Sequence, residues 1–418
     1  MEKNIVHLNV QSETAKLEAV LLHYPGAEVE NMTPKNAQRA LYSDILNLSI
    51  AQKEYEQLRG VLENVSVVFE VSDLLEKILE NETSKFSLLK KITEAEQTET
   101  YLDCLLEMSA DTLAKHLIEG LPTRVNTLTD FMRDEYYALQ PLYNFYFTRD
   151  ASVVAGNNAV ICKMASRVRL RESLIMNAIF ESGLFFHGNR IDMTEISNNN
   201  PEVKIEGGDV IIVRDDILLV GNGARTSTQG IDLLMKSLCA KSEGKRHVIV
   251  QQLPESPESF IHLDMVFTML GADKAMVYKP LMLNNTVYRT VHIQMENGKV
   301  TKISEVNGVL SALRKLGVDL EPVICGGKAD EWDQEREQWH SGANFFAIAP
   351  GKVISYTRNV HTLEELNKNG FEIVPAKKVI DKKYDLEKAG HCVITLDGSE
   401  LPRGGGGPRC MTMPLLRS

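Results

Sequence analysis

His262 and Asp264 stand two apart in the apolar stretch HLDMVF (262–267). On a strand that spacing aims both side chains at one face, and burying either without a partner would cost several kcal/mol. Three other stretches offer partners. NFYFTRDAS (144–152) carries Asp150, IEGGDV (205–210) sets Glu206 and Asp209 around two glycines, and LPRGGGGPRCMTMPL (401–415) leads a glycine run into Arg409 and Cys410. Each has a plain reading by itself: a turn-forming aspartate, a glycine bulge, a loose tail. Together they amount to a thiol, an imidazole and three or four carboxylates, flanked by the cations Arg169, Arg225 and Arg403. Zinc could use Cys, His and Asp, but the short spacing of structural sites is missing and many carboxylates would be left over. Protease-like Cys/His chemistry needs an oxyanion hole and not a cage of anions. A carboxylate cage suits a cation, and a planar guanidinium with five N–H donors fits paired carboxylates best.

The elements that would gather these residues repeat. ASVVAGNNAVICKM (151–164), DVIIVRDDILLVGNG (209–223), DMVFTMLGADKAMVY (264–278) and ANFFAIAPGKVISYTRN (343–359) each read as strand, tight turn, strand. Three of the four are followed by a helical pattern, and extended segments return at RHVIVQQL (246–253) and GFEIVPA (370–376). The first three turns recur at roughly 57-residue intervals, which predicts a ββαβ module copied around an axis. KLEAVLLHYPG (16–26) and HCVITLDGSE (391–400) are the expected strands to close the ring. Pseudo-symmetry would then bring the module entrances, with Asp150, Glu206, His262 and Asp264, to one end of the axis, where Cys410 arrives last. Residues 61–119 contain no glycine, and Leu113, Leu117 and Leu121 keep helical spacing. We read 73–142 as a helical insert and 1–72 with 143–418 as the main body. Trp339 and Gln338 read as packing.

A chain of 418 residues with 43% hydrophobic and 25% charged residues can bury a large core. A net charge of −11 argues against nucleic acid and anionic membrane surfaces, and no run has membrane-spanning length. Cys104, Cys162, Cys239, Cys325 and Cys392 lack paired spacing and read as packing residues in a reducing cytoplasm.

The chain resembles the bacterial arginine deiminases throughout its length. The matching segments are KLEAVLLHYPG…VENMTP (16–34), NFYFTRD (144–150), RLRE (169–172), IEGGDV, GNGARTS (221–227), HLD, CGG…EQW…GAN (325–344), RN (358–359) and RCMTMPL (409–415). The resemblance implies a five-bladed α/β propeller with a helical insert, acting on L-arginine without metal or organic cofactor, in the cytoplasm and as a homo-oligomer. By the same resemblance Cys410 is the nucleophile, His262 the general acid and base, Glu206 the carboxylate that holds the imidazole, and Asp150 and Asp264 the pair that grips the guanidinium. Asn144, Arg169 and Arg225 would hold the amino-acid end, Phe147 would flank the aliphatic stem, and Arg403 and Gly404 would belong to a mobile loop. Two departures stand out: Gly405 where many relatives carry a second loop arginine, and Ala224 where a glutamate is common. Agmatine or methylarginine hydrolysis, amidino transfer and non-catalytic arginine sensing are the alternatives.

Overall fold

All four hairpins close as antiparallel pairs: Ser152–Ala155 on Asn158–Ile161, Val210–Arg214 on Ile217–Asn222, Phe267–Met269 on Lys274–Val277, and Phe346–Ala349 on Lys352–Tyr356. Their valines and isoleucines favour the pleated, half-buried surface of a sheet. In each, the second strand takes a parallel partner: Asn189–Asp192, Lys245–Gln252, Glu321–Ile324 and Cys392–Leu396. Parallel strands need a crossover connection. Helices Leu170–Glu181, Thr228–Cys239, Val309–Lys315 and Val360–Lys368 supply it. A fifth sheet has the same order with its first strand borrowed from the far end of the chain. Leu17–Leu22 pairs antiparallel with Met413–Arg417 and parallel with Val67–Glu70, across helix Leu48–Glu63.

This computed structural model describes every residue except 1–4, 34–36, 38–40, 43, 126, 133–135, 199, 240–243 and 285–286. Pro34 of the first matching segment and residues 240–243, at the end of the second helical pattern, therefore lie outside the described residues.

Two expectations are corrected. The strand of HCVITLDGSE does not serve the N-terminal sheet. Cys392–Leu396 is the parallel partner of Lys352–Tyr356, with Glu372–Pro375 at its other side, and the strand beside Leu17–Leu22 is Met413–Arg417. An apolar run declares burial without declaring which sheet receives it. The third hairpin also has its crossover helix, Val309–Lys315, hidden from the sequence pattern because strands Thr290–Glu296 and Lys299–Val306 intervene and extend the neighbouring sheet.

Between residues 71 and 119 the chain forms helices Val71–Leu79, Glu82–Glu96, Leu102–Leu106 and Ala110–Glu119. Asn81 caps the second of them, its side chain accepting from the Ser84 amide at 3.0 Å. Leu113 and Leu117 are buried in the same apolar cluster as Val153, Val160 and Ile175. Buried Glu54, on Leu48–Glu63, accepts from the amides of Ser399, Glu400 and Leu401 at 2.6, 3.1 and 2.9 Å. It thereby anchors the entry to the glycine loop. Four cysteines, Cys162, Cys239, Cys325 and Cys392, are buried, and Cys104 is half-buried. Among the described residues no helix is long and apolar enough to cross a membrane.

Candidate active site

Cys410 follows a short turn, Leu401–Gly404, and a glycine run that packs tightly. A Cβ on Gly404 would collide with the Tyr146 hydroxyl, and one on Gly406 would enter the Phe147 ring. Gly405 sits at φ +89°, a conformation side chains disfavour. The run is thus a fitted loop and not a loose tail.

The Cys410 sulfur is 3.6 Å from Asp264 Oδ2 and 3.9 Å from Oδ1. Arg409 Nη1 donates to Asp264 Oδ2 at 2.9 Å, and its other nitrogens donate to Glu13 at 2.9 and 3.2 Å and to the Val210 carbonyl at 2.8 Å. The expected strand carrying both His262 and Asp264 is not there. His262 is extended, but Leu263–Met265 is a single 3-10 turn, and the strand starts at Phe267. The cause is Asp209, fully buried, whose Oδ1 accepts from the Leu263 amide at 2.8 Å and bends the chain. His262 thus meets Glu206 and Asp150, while Asp264 meets Arg409 and Cys410.

Glu206 Oε2 lies 2.9 Å from His262 Nε2, and Asp150 Oδ1 lies 3.7 Å from Nδ1. Glu206 Oε1 accepts from the Ala165 amide at 3.0 Å, with Arg225 at 3.7 Å. Arg169 bridges Asp150 Oδ2 and Glu172 Oε2, each at 2.7 Å. Asp150 Oδ1 and His262 Nδ1 are buried without a hydrogen-bond partner among the described residues. An acceptor left open in this way invites an N–H donor.

Asn144, Phe147, Asp150, Arg169, Arg225, His262, Arg403, Gly404 and Cys410 border one cavity of about 60 Å³. Glu206 and Asp264 stand directly behind it, against His262 and Cys410. Arg403 reaches its rim, but its guanidinium is engaged by Asp44 at 2.6 Å and Glu400 at 2.8 Å. Trp339, read as packing, is instead 44% exposed and lines this cavity, while Gln338 is buried and donates to the Ser259 and Met265 carbonyls at 2.6 and 3.1 Å. Glu13, Glu172, Asn344 and Arg409 carry the supporting bonds without having been assigned roles from sequence. Arg409 and Asn344 sit inside quoted motifs, whereas nothing near Glu13 in sequence marks it.

The electrostatics divide the groups. Burial opposes charge on His262, yet Asp150, the Glu206 hydrogen bond and Asp209 outweigh it and lift the imidazole to about 9. Burial likewise works against ionised Glu206, but His262, Arg225 and Arg169 bring it down to about 2. Burial, then Asp264 and Asp150, push the Cys410 thiol up, so that the resting sulfur holds its proton. The raised His262 value has a consequence for stability. A group with its folded value raised contributes fully below its unfolded value of about 6.5, and loses that contribution as pH climbs through about 9. His262 should therefore account for the equivalent of about 3 kcal/mol of the fall in urea midpoint between those limits. Burial opposes charge on His23 too, but Glu28 and Glu70 raise it to about 9, and it adds to the same fall. In His262→Gln the slope should drop to the His23 share; an unchanged slope would place the titration elsewhere.

The ligand atoms of Asp150, Glu206 and His262 lie within 4.8 Å of one another, near enough to hold a cation. Guanidiniums of Arg169 and Arg225 already stand against two of these carboxylates, which works against a divalent ion there.

The fold is similar to those of solved structures. SxtG, an amidinotransferase from Microseira wollei, matches at a TM-score of 0.52 and 14% identity, over 99% of this chain and 98% of that one. The N-terminal domain of ArgZ bound to substrate, an arginine dihydrolase from the ornithine-ammonia cycle in Cyanobacteria, matches at 0.51 and 14% identity, over 96% and 98%. The protein thus has a mixed α/β fold similar to that of these two structures. Sequence narrows this further. The arginine deiminase family matches residues 38–417. An arginine deiminase of Listeria innocua serovar 6a is 35% identical over 430 residues, and one of Bacillus cereus is 32% identical over 429, each covering 98% of both chains. The chain belongs to the arginine deiminase family.

Proposed function

We propose that this protein hydrolyses L-arginine to L-citrulline and ammonia. The observation that carries the reading is the open Oδ1 of buried Asp150 across one cavity from the Cys410 sulfur and its neighbour Asp264. A guanidinium placed there meets carboxylates at two edges and a sulfur over one face. Its charge also answers the two aspartates that hold the thiol protonated, so ionisation of Cys410 accompanies substrate binding. The thiolate attacks the guanidinium carbon. His262, protonated at neutral pH, gives a proton to the departing nitrogen, the carbon–nitrogen bond breaks and ammonia leaves. The S-alkylthiouronium that remains is attacked by water, His262 takes the water's proton, and the carbon–sulfur bond breaks to release citrulline. Glu206 orients the imidazole and balances its charge.

Arg169, Arg225 and Asn144 are the groups for the α-carboxylate and α-amino ends, with Phe147 along the stem and Arg403 and Gly404 in the gating loop. A cavity of about 60 Å³ is too small for arginine without loop movement, a lid role suited to the glycine run. The five repeated sheets support a five-bladed propeller, with 73–142 as its helical insert and 1–72 plus 143–418 as the catalytic body. We place the enzyme in the cytoplasm as a homo-oligomer that needs no cofactor.

Incubation with arginine, agmatine and methylated arginines, scored for ammonia and ureido product, tests the assignment. Arginine should be preferred at least about 10²-fold in kcat/KM, since agmatine leaves Arg169 and Arg225 without a carboxylate. Equal turnover of agmatine would overturn the substrate; binding without ammonia would favour arginine sensing.

A further inference from the structure

Asn344 is fully buried beside the nucleophile, and its five polar contacts fix which way its amide points. Oδ1 accepts from the backbone amides of Arg409 at 2.9 Å and Cys410 at 3.3 Å. Both partners are donors, so the oxygen must face them. The Nδ2 group is therefore directed at three acceptors, the Asp264 carbonyl at 3.2 Å, the Cys410 sulfur at 3.2 Å and, further off, the Met265 sulfur at 3.7 Å. Gly407 completes the arrangement. A Cβ there would lie 2.6 Å from Asn344 Oδ1, so only glycine leaves the amide its place, and the Gly407 backbone N–H also favours the ionised sulfur.

An N–H donor at a sulfur stabilises thiolate over thiol. It stands here against burial and the carboxylates of Asp264 and Asp150, all of which hold the proton on. We propose that Asn344 is a catalytic residue that donates to the Cys410 thiolate while fixing the backbone of the loop that carries it. The same amide ties that loop to the Asp264 turn, so sulfur and guanidinium grip keep one spacing. This inference rests on Cys410 being the nucleophile of the proposed reaction.

Asn344→Asp and Asn344→Ala test it together: the carboxylate keeps the acceptor for the two backbone amides and removes the donor but adds a charge, and alanine removes the donor with no charge added. The measurement is thiolate absorbance near 240 nm against pH, with Cys410→Ser as blank and guanidinium chloride at non-denaturing concentration as the small cation. The Cys410 midpoint should rise by about one unit or more in both variants. Turnover of arginine should fall at least about tenfold in kcat, with KM held within about threefold. If Asn344→Asp does not fold, as judged by circular dichroism, Asn344→Ala is read alone with the same expected rise. Coincident midpoints in wild type and Asn344→Ala would overturn the proposal, and so would a wild type with no Cys410-dependent signal below about pH 10. The two readings fail separately. Separated midpoints with no citrulline from arginine would sink the hydrolase and leave the donor role standing.

Discussion

Cys410→Ser will bind arginine and release essentially no ammonia, with turnover down by at least about 10⁴-fold. The loss follows from the sulfur's position, 3.6 Å from a carboxylate that is to hold the group under attack. Serine preserves the shape and the loop, but its hydroxyl is far harder to ionise among Asp264 and Asp150 than a thiol is. The companion measurement is on the native enzyme, quenched in acid during turnover. Its mass should rise by about 157 Da, arginine less ammonia, on the peptide containing Cys410. Retained ammonia release in the serine variant, or an adduct on another residue, would remove Cys410 from the reaction.

The second large effect is expected at Arg409. Its side chain is 1% exposed and is shared between Asp264 and Glu13, which are themselves 0% and 6% exposed. Arg409→Met strands Asp264, because no other guanidinium is within 4.0 Å of it among the described residues. Among the described residues the cation that remains within 4.0 Å of Glu13 is Arg149, at 3.8 Å. Leaving a buried charge unpaired in this way costs about 3–5 kcal/mol. Urea unfolding should move by that amount, and activity should collapse because Asp264 loses its orientation. Arg409→Lys should recover little of it, since an ammonium cannot fork to two carboxylates. The acid limb gives an independent check. Burial resists the Glu13 charge, but Arg409 and Arg149 draw the group down to about 2. A lowered carboxyl stabilises above its unfolded value of about 4.3 and loses that contribution as pH falls towards 2. Arg409→Met should remove the Glu13 share of this limb and leave that of Glu206, which His262, Arg225 and Arg169 lower to about 2 against burial. Unchanged urea midpoints in both pH ranges would show that the triad contributes nothing to the fold.

Residue type made Asp150, Glu206, His262 and Cys410 legible as a group, because a buried imidazole, thiol and carboxylates need one another. The hairpins were legible too, from their β-branched runs and turn clusters. What stayed hidden depends on long-range pairing. Glu13 and Arg409 are 396 residues apart, and no local pattern announces a contact at that range. The bend at 263–265 was missed for the same reason, since the aspartate that imposes it lies 54 residues earlier. Trp339 was misread because hydrophobicity alone does not distinguish a core from the rim of a polar cavity. HCVITL was legible as a strand from its apolar run, but which sheet receives it depends on partners far away in the chain.

The edge of the N-terminal sheet waits for strand Met413–Arg417. Ser418 and Glu18, 400 residues apart, share a hydrogen bond, and Met413–Arg417 fills the place beside Leu17–Leu22. On the ribosome those residues emerge after everything they dock against, so a nascent or prematurely terminated chain holds an open N-terminal sheet and lacks the sulfur as well. An open sheet edge of this kind is a template for pairing with another chain, and the docking of Met413–Arg417 removes it.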